Sequence, residues 1–298
     1  MKFVDPKNDL AFKKIFGDEN KKEILISFLN NILNFAGTSK EIIDITIKNP
    51  YQVPKLEGLK ETILDIMAID KRNIHYIIEM QVLHTPALDK RILYYISKAY
   101  YRQLEKAEDY PKLNQVIFLG FLDFIFFKQN PDYATRHLIL DEKTNENHFK
   151  DFELNFIELP KFKKNLQELA DVKDKWIYFV KNASDLAIIP KEMEEPKEIR
   201  AAFEAANRLS WTKDELDVYD YIGMNIQDER GRIEYAREEG IEKGKIIGIE
   251  EGKIKGIEEG ERLKAVKVAN ELLNSGVSIE IIVKSTGLTK EEIRELSK

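Results

Sequence analysis

The sequence predicts an α/β fold, with a central mixed β-sheet flanked by helices and an α-helical C-terminal extension. Three observations carry this. Short runs rich in β-branched and aromatic residues alternate with segments of helical periodicity. The longest apolar run, Val116–Phe127, has twelve residues and contains Asp123, which suits a buried strand and is too short to span a bilayer. Glycines recur at every fourth position from Gly240 to Gly260, a change of texture that separates a tail from a core.

Taken in order, the elements are as follows. Leu10, Ile15, Phe16, Ile24, Leu25, Phe28, Leu29, Ile32 and Leu33 recur near three and four, with a break at Gly17-Asp18, which predicts two helices over Asp9–Phe35. A strand is expected at Glu41–Lys48, then a hairpin of Thr62–Asp70 and Asn73–Val82. A long helix follows at Leu88–Glu108, with Ile92, Leu93, Ile96, Ala99 and Leu104 as its apolar set. Strands are expected at Val116–Phe127, Arg136–Asp141 and Phe152–Leu159. Residues 166–228 turn helical and acidic, with Lys191–Pro196 as a surface break and Trp176 and Trp211 as packing anchors. The expected division is a core of residues 1–165, a helical extension of 166–228, a glycine-repeat helix or linker of 229–262, and a small three-helix module of 263–298.

Composition excludes several chemistries. With no cysteine there is no disulfide, thiolate ligand or cysteine nucleophile, and the four histidines show no metal-ligand spacing. The N-terminus lacks an apolar signal core and a small-residue cleavage site, so the expected location is cytoplasmic, with no membrane partner. The net charge of −6 is unevenly spread. Residues 1–165 hold 25 Lys+Arg against 24 Asp+Glu, and residues 166–298 hold 22 against 29, so the acidity belongs to the tail and leaves the core free to meet phosphates.

The hairpin holds the most informative residues. Glu79 and Gln81 point to the same face of their strand. If Lys71-Arg72-Asn73 forms a three-residue loop with Asn73 in the left-handed conformation, Asp70 pairs with Ile74 and Asp65 falls opposite Glu79. Two carboxylates then face each other at roughly 5 Å between Cβ atoms, which costs stability unless a divalent cation such as Mg²⁺ sits between them. The plain alternative is a solvent-facing charged strand, since a loop one residue longer or shorter would put Asp65 on the opposite face. Against that, both carboxylates are embedded in Ile, Leu, Met and Tyr, where an unpaired charge is costly.

On the first helix Asp9 and Lys13 are one turn apart, and Asp9 also reads as a dipole-complementing N-terminal charge. On the long helix Arg91, Tyr95 and Lys98 share a side that could lie over a phosphate backbone, or form a solvated basic face. In the tail each glycine costs about 1 kcal/mol against alanine within a helix, and a period of four winds its stripe by about 40° per repeat. A flexible linker and a helix that approaches a second copy closely both fit. The last three short helices resemble a helix-turn-helix. The final one opens Thr289-Lys290-Glu291-Glu292, and its glutamates would face phosphates badly, so a protein-contact module is expected over a DNA reader.

The opening DPKNDLAFKKIFGDENKKEILISFLNNIL, the hairpin LDIMAID with IIEMQ, the helix KRILYYISKAYYRQL and the close FIELPKF before a glycine-repeat tail resemble the recombination-promoting nuclease (Rpn) and transposase-like branch of the PD-(D/E)XK nuclease superfamily. The likeness spans nearly the whole chain. It implies a restriction-endonuclease-like core, Mg²⁺-dependent hydrolysis of DNA phosphodiesters with Mn²⁺ as a substitute, and a link to recombination or transposition. Carried over, Asp65 takes the place of the motif aspartate, Glu79 that of the second acid, Gln81 that of the motif lysine, and Asp9 that of the upstream helical acid. Asp65 and Glu79 become the metal ligands; Lys13, Arg91, Tyr95 and Lys98 are the expected DNA contacts. Gln81 is the departure: an amide hydrogen-bonds but carries no charge, and Arg91 and Lys13 are the candidates to supply it. The branch this chain resembles also shows glutamine there. Self-association as a dimer or higher homo-oligomer through the C-terminal helices is expected. The alternative reading is a catalytically silent nuclease fold acting as a DNA-binding or regulatory protein.

Overall fold

The computed structural model describes residues 2–48, 51–52, 62–63, 65–105 and 108–296. It divides into two compact units, Met1–Asp228 and Glu229–Lys298.

The first unit begins with α1 (Asp9–Phe16) and α2 (Lys22–Ile32), separated at Gly17-Asp18 as the periodicity predicts. Strands β1 (Ile45–Lys48), β2 (Tyr51–Gln52), β3 (Thr62–Ile63), β4 (Ile66–Asp70) and β5 (His75–Gln81) follow, then α3 (Leu88–Tyr101). Next come β6 (Val116–Leu122), β7 (Ala134–Ile139), β8 (Phe149–Glu158), α4 (Val172–Asn182) and α5 (Lys197–Ala206). The main sheet runs β1-β4-β5-β6-β8-β7; β5, β6 and β8 are parallel and the remaining pairings antiparallel, so it is mixed as expected. β2 and β3 pair separately.

Alternation along the central strands sorts their side chains to two faces. Ile66, Ala68, Tyr76, Ile78, Met80, Ile117, Leu119 and Phe121 join α1, α2, α4 and α5 in one core. Ile77, Val116, Phe118 and Leu122 meet Leu88, Ile92, Ile96 and Ala99 of α3 on the other face. Trp176 and Trp211 are buried, as expected of anchors. The centre of the larger core is aromatic: the Phe28 ring lies 4.4 Å from Phe16, 5.2 Å from Phe121 and 5.5 Å from Trp176, all between centroids.

Every expected strand after the first helices has at least one boundary shifted from expectation, and α3 is shorter than expected; two of these shifts follow from a side chain that captures backbone. Strand β1 starts at Ile45 and not Glu41, since the buried Asn30 amide donates to the Ile42 carbonyl and accepts its N–H, both at 2.8 Å. β6 stops at Leu122, because the N–H groups of Phe126 and Phe127 donate to the buried Glu158 carboxylate. α3 ends at Tyr101, where its C-cap Arg102 N–H bonds back to Lys98. Part of the hairpin strand expected from Thr62 lies outside the described residues at position 64.

α6 (Lys213–Asn274) enters the second unit as a continuous helix through the glycine repeat. A Cβ at any of Gly240, Gly244, Gly248, Gly252, Gly256 or Gly260 would meet nothing within 4 Å. α7 (Ile279–Thr286) and α8 (Lys290–Leu296) fold back with the end of α6 around Ala269, Ile282, Leu288 and Ile293. Gly287, at φ +73°, supplies the left-handed turn between them. Thr289 and Glu292 form a reciprocal cap at the start of α8.

Because Phe28 joins α2, β6 and α4, Phe28→Ala should destabilise the protein by about 3–5 kcal/mol in urea titrations. A loss below about 1 kcal/mol would mean that this aromatic cluster collapses around the gap.

Candidate active site

The hairpin loop sets the site. Asn73 adopts φ +61°, and the buried Asp70 carboxylate accepts from the N–H groups of Arg72 (2.8 Å) and Ile74 (3.1 Å), Arg72 Nε (2.8 Å) and Tyr76 O–H (3.1 Å). Asp70 N–H donates to the Ile74 carbonyl at 3.1 Å, the pairing expected of a three-residue loop. The resulting register, Ile69 with His75 through Ile66 with Ile78, extends by one pair to set Asp65 across from Glu79.

At that last pair the carboxylates stand in for the ladder. Asp65 N–H donates to Glu79 Oε1 at 3.2 Å, and Met80 N–H donates to Asp65 Oδ2 at 2.7 Å. Each acid is thereby tied to the other's strand. Gly120 of β6 pairs with Glu79, and a Cβ there would lie 2.9 Å from the Phe118 ring, so this position stays bare beside Glu79.

α1 and α3 supply the cations. Lys13 Nζ lies 2.8 Å from Asp9 and 3.5 Å from Asp65, and Asp9 is hydrogen-bonded to Asp65, so both reach the pair. Gln81 Nε2 donates to Glu79 Oε2 at 3.0 Å, while Arg91 donates to Gln81 Oε1. The Gln81 amide thus sits between the Glu79 carboxylate and the Arg91 guanidinium. Arg91 Nε is buried and has no acceptor among the described residues. Tyr95 stands close enough to Glu79 and Arg91 to feel both charges. Lys98 departs from expectation: it is 2% exposed, its ammonium 5.7 Å from the Tyr94 ring centroid. The helix side that carries Arg91 at the site is covered by protein two turns later, so Lys98 does not present to solvent.

Electrostatics follow from burial. Desolvation, the Glu79 charge and the Asp9 hydrogen bond push the Asp65 carboxyl up to about 9. Desolvation pushes Glu79 up to about 7, against the pull of the Asp65 N–H, Arg91 and Lys13. Burial also works to raise Asp9, but its hydrogen bond with Asp65 and its ion pair with Lys13 hold it below the ordinary carboxylate range. Two buried acids that resist joint ionisation would both be stabilised in their charged form by a cation bound beside them. The donor set of two carboxylates, without thiolate or imidazole, fits a hard divalent ion that takes one or two protein carboxylates and keeps its waters. Among the described residues no group of three or more His, Asp or Glu is arranged to hold a metal.

Residues 6–236 match the model of the PD-(D/E)XK nuclease family transposases. The chain belongs to that family. Residues 262–298 match the C-terminal HTH domain of the Rpn/YhgA-like nuclease family, the part of the PD-(D/E)XK chain built from the end of α6, α7 and α8. No curated protein and no solved structure matches the chain. The mixed sheet with flanking helices is the restriction-endonuclease-like fold of such nucleases, a group that typically uses divalent metals. No helix among the described residues is long and apolar enough to cross a membrane.

Sequence reasoning missed Gly120 and the helix cap beside Asp9. A lone glycine in the apolar run VIFLGFL was the available signal for the first, and Asn8 before a helical run for the second.

A carboxyl raised by folding binds more protons in the native state than in the unfolded chain, so its stabilising contribution is present at low pH and is lost as pH rises through the folded value. In the presence of chelator, the melting temperature should therefore fall between about pH 5 and about pH 9 more steeply in wild type than in Asp65→Asn. Parallel profiles would show that the pair is not buried as ionisable groups.

Proposed function

We propose that the protein is a divalent-metal-dependent DNA endonuclease that hydrolyses phosphodiester bonds in the cytoplasm, in the service of recombination or transposition. The observation that carries this reading is the buried Asp65–Glu79 pair with Gln81 and Arg91 alongside. Asp65 and Glu79 would hold Mg²⁺, or Mn²⁺ in its place. When bound, the ion supplies activation of water and neutralisation of phosphoryl charge.

The remaining work falls to the chain's own groups. Gln81, held from both sides by Glu79 and Arg91, orients the attacking water through its amide. Arg91 and Lys13 bring to the site the positive charge that a motif lysine would carry, one from each side, and stabilise the charge developing on the phosphoryl oxygens. Tyr95 contacts the DNA backbone. Asp9 keeps Lys13 directed at Asp65. The silent-nuclease alternative rests on Gln81 and on the acidic total charge; the two flanking cations weaken the first ground, and the concentration of acid in the tail weakens the second.

Self-association is assigned to the glycine-repeat stretch of α6. Its isoleucines, including Ile241, Ile249 and Ile257, are exposed, and six glycines make an unpartnered helix costly. A second copy would cover them.

In supercoiled-plasmid cleavage with Mg²⁺, Asp65→Ala and Glu79→Ala should each lose roughly 100-fold or more, and Arg91→Ala and Lys13→Ala about 10-fold. Undiminished cleavage by either carboxylate variant removes the site assignment. In sedimentation velocity, the full-length Ile249→Asp/Ile257→Asp protein should run as a monomer where wild type runs as a dimer or larger. A monomeric wild type ends the oligomer reading.

A further inference from the structure

α1 has only eight residues, too few to hold itself straight in water, yet it delivers both Asp9 and Lys13. Ala11, Phe12, Ile15 and Phe16 pin its inner side in the core. Close packing of these side chains fixes which face of α1 turns inward; holding its first turn, and with it Asp9, is a role left to directional polar contacts.

That role falls on the first turns of α6. Asn8 is 5% exposed. Its Oδ1 accepts from the N–H groups of Leu10 (3.1 Å) and Ala11 (3.4 Å), while its Nδ2 donates to the Tyr219 carbonyl at 3.1 Å. The same Tyr219 accepts from Asp5 N–H through its hydroxyl at 2.8 Å. One tyrosine therefore grips the chain on both sides of Pro6-Lys7, immediately before Asp9. The Tyr219 ring is itself held: Trp211 packs edge-on at 5.9 Å and the Arg208 guanidinium lies 5.4 Å from its centroid. A second tie joins the two helices further along α1, where Lys14 pairs with Glu215 and lies 4.6 Å from the Trp211 ring centroid.

We infer that Asn8 and Tyr219 are positioning residues for the reaction: by clamping the N-terminus of α1 to α6 they hold Asp9 and Lys13 in reach of Asp65. The inference rests on the nuclease reading. It assigns a catalytic consequence to a segment that touches no substrate, through hydrogen bonds whose partners are backbone groups and so have fixed directions.

The test uses the full chain. Tyr219→Phe removes only the bond from Asp5; Asn8→Asp retains the helix cap and removes the donor to Tyr219; Tyr219→Ala removes the ring as well. Plasmid-cleavage kcat and KM are measured beside melting temperature, with amide hydrogen exchange of α1 read against that of α4. The expected result is that Asn8→Asp and Tyr219→Phe lower kcat by about 3- to 10-fold with KM unchanged, in proteins that melt within a few degrees of wild type. Tyr219→Ala should lower it further and speed exchange at Phe12–Phe16 by at least 10-fold, leaving α4 unchanged. Unchanged exchange in Tyr219→Ala, or faster exchange with unchanged kcat, overturns the proposal. Asp65→Ala serves as the control: wild-type cleavage that persists in it, or no cleavage by wild type, sinks the nuclease reading and the positioning role together, whereas Asp65-dependent cleavage with indifferent clamp variants sinks the clamp alone.

Discussion

The Asp70 carboxylate is the pivot of the molecule. Buried at the end of β4, it collects two backbone N–H groups, two guanidinium nitrogens and a phenol, and so holds the three-residue loop closed. In a strand pair a slip of one residue exchanges the two faces. A slip here would send Asp65 to the side of Ile66 and Ala68 and bury its charge in the larger core. The electrostatic strain at the Asp65–Glu79 pair is thus imposed by a well-satisfied network that begins five residues beyond Asp65 on the same strand, and the hairpin keeps it because that network is the stronger constraint.

What surrounds the pair turns that strain into a usable arrangement. Each carboxylate takes a backbone N–H of the other strand, which orients it without neutralising it. Neutralisation is left to Lys13 and Arg91, which come from helices on opposite faces of the sheet. Buried acids raised by desolvation attract cations more strongly than exposed ones, since bound positive charge removes a penalty already present. The same pair that weakens the free protein would favour metal binding.

On the proposed assignment, charge supplied from α1 and α3 would let an amide stand where the wider superfamily has lysine. A lysine on the strand would carry its charge on a flexible stem. Gln81 instead bridges Glu79 and Arg91, so the positive charge arrives through a planar guanidinium fixed by that bond. The cost is dependence on α3 being seated correctly, just as Lys13 depends on α1.

Much of the fold was legible in the chain because its signals are local. Two helices broken at Gly17-Asp18, an Asn73 suited to positive φ, and a twelve-residue apolar run each report on their immediate neighbours, and so the pairing of Asp65 with Glu79 followed from loop length alone. Strand ends were less legible, since Asn30 and Glu158 capture backbone from residues 12 and more than 30 positions away. Lys98 shares a helix side with Arg91 in sequence, yet only packing decides which turn of that side meets solvent. The grip of Tyr219 on the segment before Asp9 spans more than 200 positions, beyond any periodicity. Sequence determined the hairpin and the candidate acids because hydrogen-bonded loops and alternating strands are short-range geometry; it could name Lys13, Arg91 and Lys98 as candidate cations, but tertiary structure decided that the first two stand beside the acids and the third does not, because charge neutralisation is satisfied by whatever the fold brings near.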